Sequence, residues 1–343
     1  MNRSIGFITE ANERIGYGHL YRCAAIAQIL DEAGKTVIFF LDNKSETDTI
    51  RKILPNAIML GKDSLQTYLS VSDKNLSHLI LDVYPNNIFN FKFLEEVKHL
   101  KTVTIIDAPF AEKAIFTDLV FKIGFQEYQH KEETHRRADG KTTKHFSGND
   151  YFIFRKEFFK DFHYQCKPDA NRVLITMGGS DPYQLTEMVA KGMELIKKPL
   201  SLTYVLGGGF STERLEKLKQ IHTQNIHTIS FQQNISNMAE TMAANDIAII
   251  NGGNTRFELS RIGVPFFSLS INDKQDSISS FLEKKGIGIS LGIFENIDTI
   301  SISHNVKSLI NNFSLRTRLS AKQKQLIKPG GNRKIYKEIL SNG

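Results

Sequence analysis

Apolar and polar positions along this chain come in blocks. Short apolar runs (Ile5-Gly6-Phe7-Ile8, Val37-Ile38-Phe39-Phe40, Leu79-Ile80-Leu81-Asp82, Val103-Thr104-Ile105-Ile106-Asp107, Leu119-Val120-Phe121) alternate with stretches of helical spacing at Leu20 to Ala33, Thr47 to Leu54 and Phe91 to His99. Uniformly apolar runs suit strands buried on both faces, so the alternation predicts a doubly wound parallel α/β sheet. After Lys167-Pro168-Asp169-Ala170 the pattern starts again. Runs at Val173 to Met177, Leu202 to Leu206, Ile226 to Ile229, Ile247 to Ile250 and Pro265 to Leu269 follow, with a helical pattern from Tyr183 to Ile196. Two domains are expected, 1–165 and 171–315, with a helical segment 316–343 interrupted by Pro329-Gly330-Gly331.

Candidate chemistry sits where a strand gives way to a helix. Ile15-Gly16-Tyr17-Gly18-His19-Leu20-Tyr21-Arg22-Cys23 follows the first run and opens a helix. The first turn of a helix offers unpaired N–H groups to an anion, glycines let a ligand approach the backbone, and a helix start favours the neutral form of an imidazole. The motif therefore reads as a base beside an anion site, or as a βα turn whose histidine caps or packs. Arg22 is suited to a phosphate or to a nearby carboxylate. Asp82 and Asp107 end their strands, at the sheet edge where ligands bind in open parallel sheets, but acids there also cap the next turn. Tyr84, just past a strand end, suits a sugar contact or a loop anchor.

The second half repeats the theme. Met177-Gly178-Gly179-Ser180-Asp181 follows a strand and precedes a helix, so its backbone can cradle a phosphate. Equally, Asp181 can be the N-cap with Pro182 at the first helical position. Asn251-Gly252-Gly253-Asn254-Thr255-Arg256-Phe257-Glu258 is a second such turn, with Glu258 one helical turn in, placed to accept from ligand hydroxyls.

Composition narrows the class. At 343 residues, 41% hydrophobic and 24% charged, the chain has the make-up of a globular protein too long for one ordinary core. Its two cysteines lie far apart and outside any metal spacing, so neither a disulfide nor a structural metal is expected. No apolar stretch approaches about 18 residues, and the chain enters a strand without a secretory apolar region, so a cytoplasmic location without membrane insertion is expected. The net charge of +7 includes a cluster of Lys131, His135, Arg136, Arg137, Lys141 and Lys144. It lies in a polar stretch, Gln126 to Asn149, expected to be a solvated loop or a substrate-facing lid rather than a nucleic-acid surface. Attraction to an anionic membrane stays open. Most of the 24 phenylalanines, among them Phe39, Phe40, Phe152, Phe154, Phe158, Phe159, Phe266 and Phe267, are expected in the core. His78, His99, His222 and His227 lack ligand spacing and are expected to pack.

The order of GxGHxxRC, then GGSDP, then GGNTxxEL-x-x-x-GVP resembles the UDP-sugar hydrolases of pseudaminic-acid biosynthesis, relatives of the two-domain GT-B glycosyltransferases. The resemblance runs from about Ile5 to the C-terminal helix and includes Asn149 to Phe158. It implies two facing Rossmann-like domains with a cleft between them. It also implies metal-independent hydrolysis of UDP-2,4-diacetamido-2,4,6-trideoxy-β-L-altrose, or a close relative, to UDP and free sugar without a cofactor. His19 matches the family's general base, and Tyr84 would assist it. Gly16, Gly18, Arg22, Asp82 and Asp107 would line the sugar side. Gly178, Gly179, Ser180 and Asp181 with Gly253, Asn254 and Thr255 would surround the diphosphate. Glu258 would take the ribose, and Phe231, past a strand ending at Ile229, would lie beside the uracil.

The chain departs from the family pattern at Asp107-Ala108-Pro109, at Asp82-Val83-Tyr84-Pro85-Asn86-Asn87 and near Lys122, all on the sugar side. A glycosyltransferase with a sugar or lipid-linked acceptor is the alternative, and a nucleotide-sugar-binding protein without turnover is a third reading. An NAD-dependent oxidoreductase is poorly supported, because no strict GxGxxG follows the first strand. The oligomeric state is left open, a monomer being plausible.

Overall fold

The computed structural model describes residues 4–11, 17–41, 44–61, 76–83, 100–107, 117–123, 131–137, 139–179, 181–223, 226–233, 235 and 237–341. It divides the chain into two units, one of Met1–Lys156 with Pro329–Gly343, the other of Glu157–Lys328.

The first unit begins β1 (Ser4–Thr9), α1 (Gly18–Glu32), β2 (Val37–Leu41), α2 (Lys44–Ile53), β3 (Ile58–Gly61) and β4 (Leu76–Asp82). It continues β5 (Lys101–Asp107), β6 (Leu119–Ile123), β7 (Lys131–Arg136) and β8 (Thr142–Ser147). The strands form one sheet in the order β3-β2-β1-β4-β5-β6-β8-β7, parallel throughout except for β7. Every residue of β1 and β2 is buried, as their unbroken apolar runs require. Phe7 and Phe39, side by side in register, stack with ring centroids 4.8 Å apart.

The polar stretch expected to be a loop contains strands. β7 and β8 form an antiparallel hairpin at the end of the sheet, and β8 pairs with β6 in parallel. Thr143, His145 and Phe146 are buried while Lys144 is exposed, so β8 has enough inward surface to join the sheet. β7 is exposed along nearly its whole length, and its charges are those that keep a sheet edge from pairing with another chain. The basic residues are largely paired: Lys131 contacts Glu133, and Arg137 reaches Asp118 at 3.0 Å.

The second unit runs β9 (Arg172–Thr176), α3 (Leu185–Glu194), β10 (Ser201–Leu206), α4 (Thr212–Ile221), β11 (Thr228–Gln233), α5 (Met238–Ala243) and β12 (Ile247–Asn251). Then come α6 (Thr255–Ile262), β13 (Phe266–Ser270), α7 (Asp273–Lys284), β14 (Ile289–Ile293), α8 (Thr299–Asn311) and α9 (Phe313–Leu326). All six strands are parallel, in the order β11-β10-β9-β12-β13-β14. Numbered within the unit this is 3-2-1-4-5-6, the order of a Rossmann dinucleotide fold, and the first six sheet positions of the first unit have the same order.

The expected boundaries move for identifiable reasons. Lys167-Pro168-Asp169-Ala170 is fastened to the second unit, because the fully buried Arg316 donates to the Lys167 and Pro168 carbonyls at 2.7 and 2.8 Å. The crossover therefore lies at 156–157. The helical segment 316–343 is not a body of its own. α9 belongs to the second unit, and the last helix, α10 (Gly331–Leu340), returns to the first, where Ile335 and Ile339 enter the core. Lys101 Nζ donates to the Glu338 and Ile339 carbonyls at 3.0 and 2.9 Å, satisfying acceptors at the helix C-terminus. Of the eight phenylalanines expected inside, all but the half-buried Phe159 are buried. Among the described residues no helix is long and apolar enough to cross a membrane.

Candidate functional site

Among its parallel strands each sheet reverses its order once, between β1 and β4 in the first unit and between β9 and β12 in the second. The carboxyl edge at such a point is where α/β sheets bind ligands, since the flanking loops diverge there. The candidate residues gather at both points.

In the first unit, β4 lies parallel to β1 with Asp82 opposite Thr9, so both strands end together. α1 starts at Gly18, and its N-cap residue, Tyr17, makes no side-chain capping hydrogen bond. His19 and Arg22 are three residues apart and so share a face of the helix. Both turn to Asp82, whose side chain is fully buried. Arg22 grips the carboxylate in two places, Nε to Oδ2 at 2.9 Å and Nη2 to Oδ1 at 2.9 Å. His19 Nδ1 lies 2.7 Å from Oδ1 and 2.9 Å from Arg22 Nη2. One nitrogen cannot donate to the first and accept from the second. The shorter contact, to a carboxylate, assigns the hydrogen to Nδ1. That tautomer leaves Nε2 as the nitrogen able to take a proton. Burial pushes the Asp82 carboxyl up, but the charges of Arg22 and then His19 outweigh it and hold it below the usual carboxylate range. Arg22 thus takes the carboxylate role of its two expected ones.

Three candidates on this side lie beyond description: Gly16 and Tyr84 are outside the described residues, and Asp107 is described only as the last residue of β5. Gly18 is the first residue of α1. Cys23, one turn further on, is buried, and burial followed by the Asp82 charge pushes its thiol well up, so it is packing rather than chemistry.

In the second unit, the side chain of Asn251 joins the two glycine turns, donating to the Met177 carbonyl at 3.0 Å and accepting from Gly253 N–H at 3.3 Å. Gly178 has φ +86°, and a Cβ there would stand 3.0 Å from the Asn251 amide, so the position needs glycine. The two turns differ in how open they are. One of the two expected roles of Asp181 was N-cap with Pro182 at the first helical position; the helix begins at Leu185, and Asp181 reaches it from four residues upstream. Its carboxylate accepts from Leu185 and Thr186 N–H at 2.9 and 3.0 Å. The anion position at the start of α3 is therefore filled by the chain's own carboxylate.

At α6 no side chain takes that place, and the N–H groups of Asn254 and Thr255 have no partner among the described residues. Buried Arg256 fixes this turn, Nε donating to the Gly253 carbonyl at 3.0 Å and Nη1 to Gln275 O at 3.2 Å. Thr255 and Glu258 are half-buried. Gly179 is half-buried, while Ser180 is outside the described residues.

Phe231 is not past the end of a strand. β11 extends to Gln233, and Phe231 lies within it, its ring stacked on Tyr204 at 5.3 Å. His222 is also structural, its Nδ1 2.6 Å from Glu194 and its Nε2 2.8 Å from the Tyr204 hydroxyl. His78 and His227 contact backbone carbonyls, those of Ile339 and Met193, and His99 lies outside the described residues.

One feature escaped the sequence reading. Gly207-Gly208-Gly209 directly follows β10, and a Cβ on Gly207 would stand 2.1 Å from the Gly179 carbonyl oxygen. Gly209 N–H donates to that same oxygen at 3.0 Å. Three consecutive glycines after an apolar run were the signal, since only glycine lets two backbones approach so closely.

No family model matches the chain. It is 27% identical over 331 residues to the uncharacterized protein MJ1062 of Methanocaldococcus jannaschii, covering 89% of this chain and 67% of that protein. It is 26% identical over 180 residues to the spore coat polysaccharide biosynthesis protein SpsG of Bacillus subtilis, covering 52% of each. Among solved structures, MurG of Acinetobacter baumannii superposes with a TM-score of 0.72 at 14% identity, covering 99% of both chains. HepE of Anabaena, solved in complex with UDP-glucose, gives 0.60 at 11% identity, covering 99% of this chain and 100% of that one. Two Rossmann-like α/β units, matched over nearly their whole length in these structures, make this the glycosyltransferase-like GT-B fold.

Proposed function

We propose that the protein hydrolyses a UDP-activated deoxy-amino sugar, UDP-2,4-diacetamido-2,4,6-trideoxy-β-L-altrose or a close relative, in the making of a cell-surface nonulosonic acid such as pseudaminic acid. The observation that carries the reading is the His19–Asp82–Arg22 constellation at the carboxyl edge of the first sheet. Its chemistry is that of a general base. Nε2 of His19 takes a proton from water as the water oxygen bonds to the anomeric carbon. The bond from that carbon to UDP breaks, and the electron pair leaves with the β-phosphate. Asp82 holds the tautomer and compensates the imidazolium that forms.

In this reading the second unit binds UDP. The diphosphate rests mainly on the open start of α6, at Gly253, Asn254 and Thr255, with Gly178, Gly179 and Ser180 beside it. Backbone donors then stabilise the leaving charge, and Glu258 accepts from the ribose. The HepE complex with UDP-glucose supports a nucleotide-sugar ligand, and the spore coat role of SpsG supports polysaccharide biosynthesis. The end-to-end likeness to a glycosyltransferase of Rickettsia africae favours a second reading, transfer of the sugar to an acceptor other than water.

UDP release from UDP-deoxyamino sugars without acceptor separates the two. Hydrolysis by the wild type that falls at least about 100-fold in His19→Ala is the expected result. UDP binding without release supports transfer, and release unaffected by His19→Ala removes the histidine from the mechanism.

A further inference from the structure

The Gly178–Gly179 turn is followed by two residues in a conformation that side chains avoid. Asp181 has φ +44° and Gln184 φ +55°, both left-handed without being glycine. Such a backbone persists only where its surroundings hold it. At Asp181 the group that grips the backbone is Arg214, in the first turn of α4. Its Nη1 donates to the Asp181 carbonyl at 2.9 Å and its Nη2 to Asp181 Oδ2 at 2.9 Å. Nε and Nη2 also donate to the two oxygens of Glu187, at 2.8 and 2.7 Å. The guanidinium carbon lies 4.2 Å from the centroid of the Phe210 ring. Upstream, Gly207 meets the carbonyls of Gly178 and Gly179 too closely to admit a side chain. The turn is thus pinned at both ends by the same β10–α4 connection.

We propose that Arg214, aided by Gly207, is a positioning residue that shapes the Gly178–Gly179 turn for the diphosphate of UDP. It rests on the reading that this unit binds UDP. Arg214 spends its donors on the turn and on Glu187, so it acts through the backbone rather than on the phosphates. A lysine cannot replace it, because only the planar fork of arginine meets one carbonyl and two carboxylates at once.

The test compares UDP with uridine, which lacks the phosphates, by calorimetric titration of the full chain. Arg214→Lys is expected to weaken UDP binding about tenfold or more while leaving uridine affinity within about twofold. A merely structural role would weaken both alike, and that result overturns the proposal, as does unchanged UDP affinity. Should Arg214→Lys not fold, Glu187→Gln carries the same comparison, since it loosens the grip while leaving Asp181 its partner. A wild type that binds neither ligand overturns the UDP reading, and the proposal with it. A wild type that binds UDP, paired with variants that lose no discrimination between the two ligands, overturns only the positioning role.

Discussion

Asp82 is an anion that Arg22 and His19 share, and Arg22 is only 5% exposed. Replacing the carboxylate by the isosteric amide in Asp82→Asn takes that counter-charge away from a buried guanidinium. Breaking a buried pair from one side typically costs about 3–5 kcal/mol, so a loss near the lower end is expected, because an amide oxygen still accepts one hydrogen bond. Urea denaturation checks it, and a loss below about 1 kcal/mol would mean that water reaches the pair. At this scale much was legible. A glycine turn before a histidine, an arginine one helical turn on and an acid at a strand end were all readable, because βα architecture fixes where such residues fall. Asp181 was legible as a helix-capping acid, but its place was not. Its left-handed φ depends on Arg214, 33 residues away, and no local preference encodes that.

The β7–β8 hairpin shows the limit at the level of elements. A run rich in lysine, glutamate and histidine has the composition of a loop, and only its position at the end of the sheet makes it a strand. His145 on β8 gives the hairpin a measurable signature. Burial, then the positive charges of His135 and Lys122, lower its pKa from 6.5 to about 4, with Glu133 acting in the opposite sense. The folded hairpin keeps the ring neutral while the unfolded chain protonates it. The stability this contributes is present above pH 6.5 and is lost as the pH falls from there to about 4. At about 1.4 kcal/mol per unit, the loss is at most about 3.5 kcal/mol and is reduced by the solvent that screens the half-exposed hairpin. His145→Gln should flatten the pH dependence of stability across that window, measured by urea denaturation at a series of pH values. Parallel curves for variant and wild type would show that the ring is solvated. Uniform apolar runs such as Val37 to Phe40 were legible for the opposite reason, since a strand buried on both faces leaves the side chain little choice.

At the level of the molecule, the repeat of one α/β pattern was visible in the sequence, while the return of the chain was not. α10 has its own amphipathic spacing and says nothing of which core receives it. Ile335 and Ile339 are both fully buried in the first unit. Burying each contributes about 1.5–3 kcal/mol, and Asn332 adds a pair of hydrogen bonds to the backbone of Phe154, both at 2.9 Å. Deleting 329–343 is therefore expected to unfold the first unit and spare the second. Limited proteolysis should then leave a resistant fragment close to 157–328. Equal resistance of both halves would show that the first core holds without its last helix.

That return helix also orders events during synthesis. A ribosome delivers the first sheet long before residues 331–340 exist, so the earlier-made unit must wait, with part of its core facing water, until that helix has been made. The later-made unit is continuous in sequence and has all its strands and helices once Lys328 has emerged. The half that carries His19 is thus the last to be finished, and during that wait it is the half most open to chaperones, proteases and misassembly.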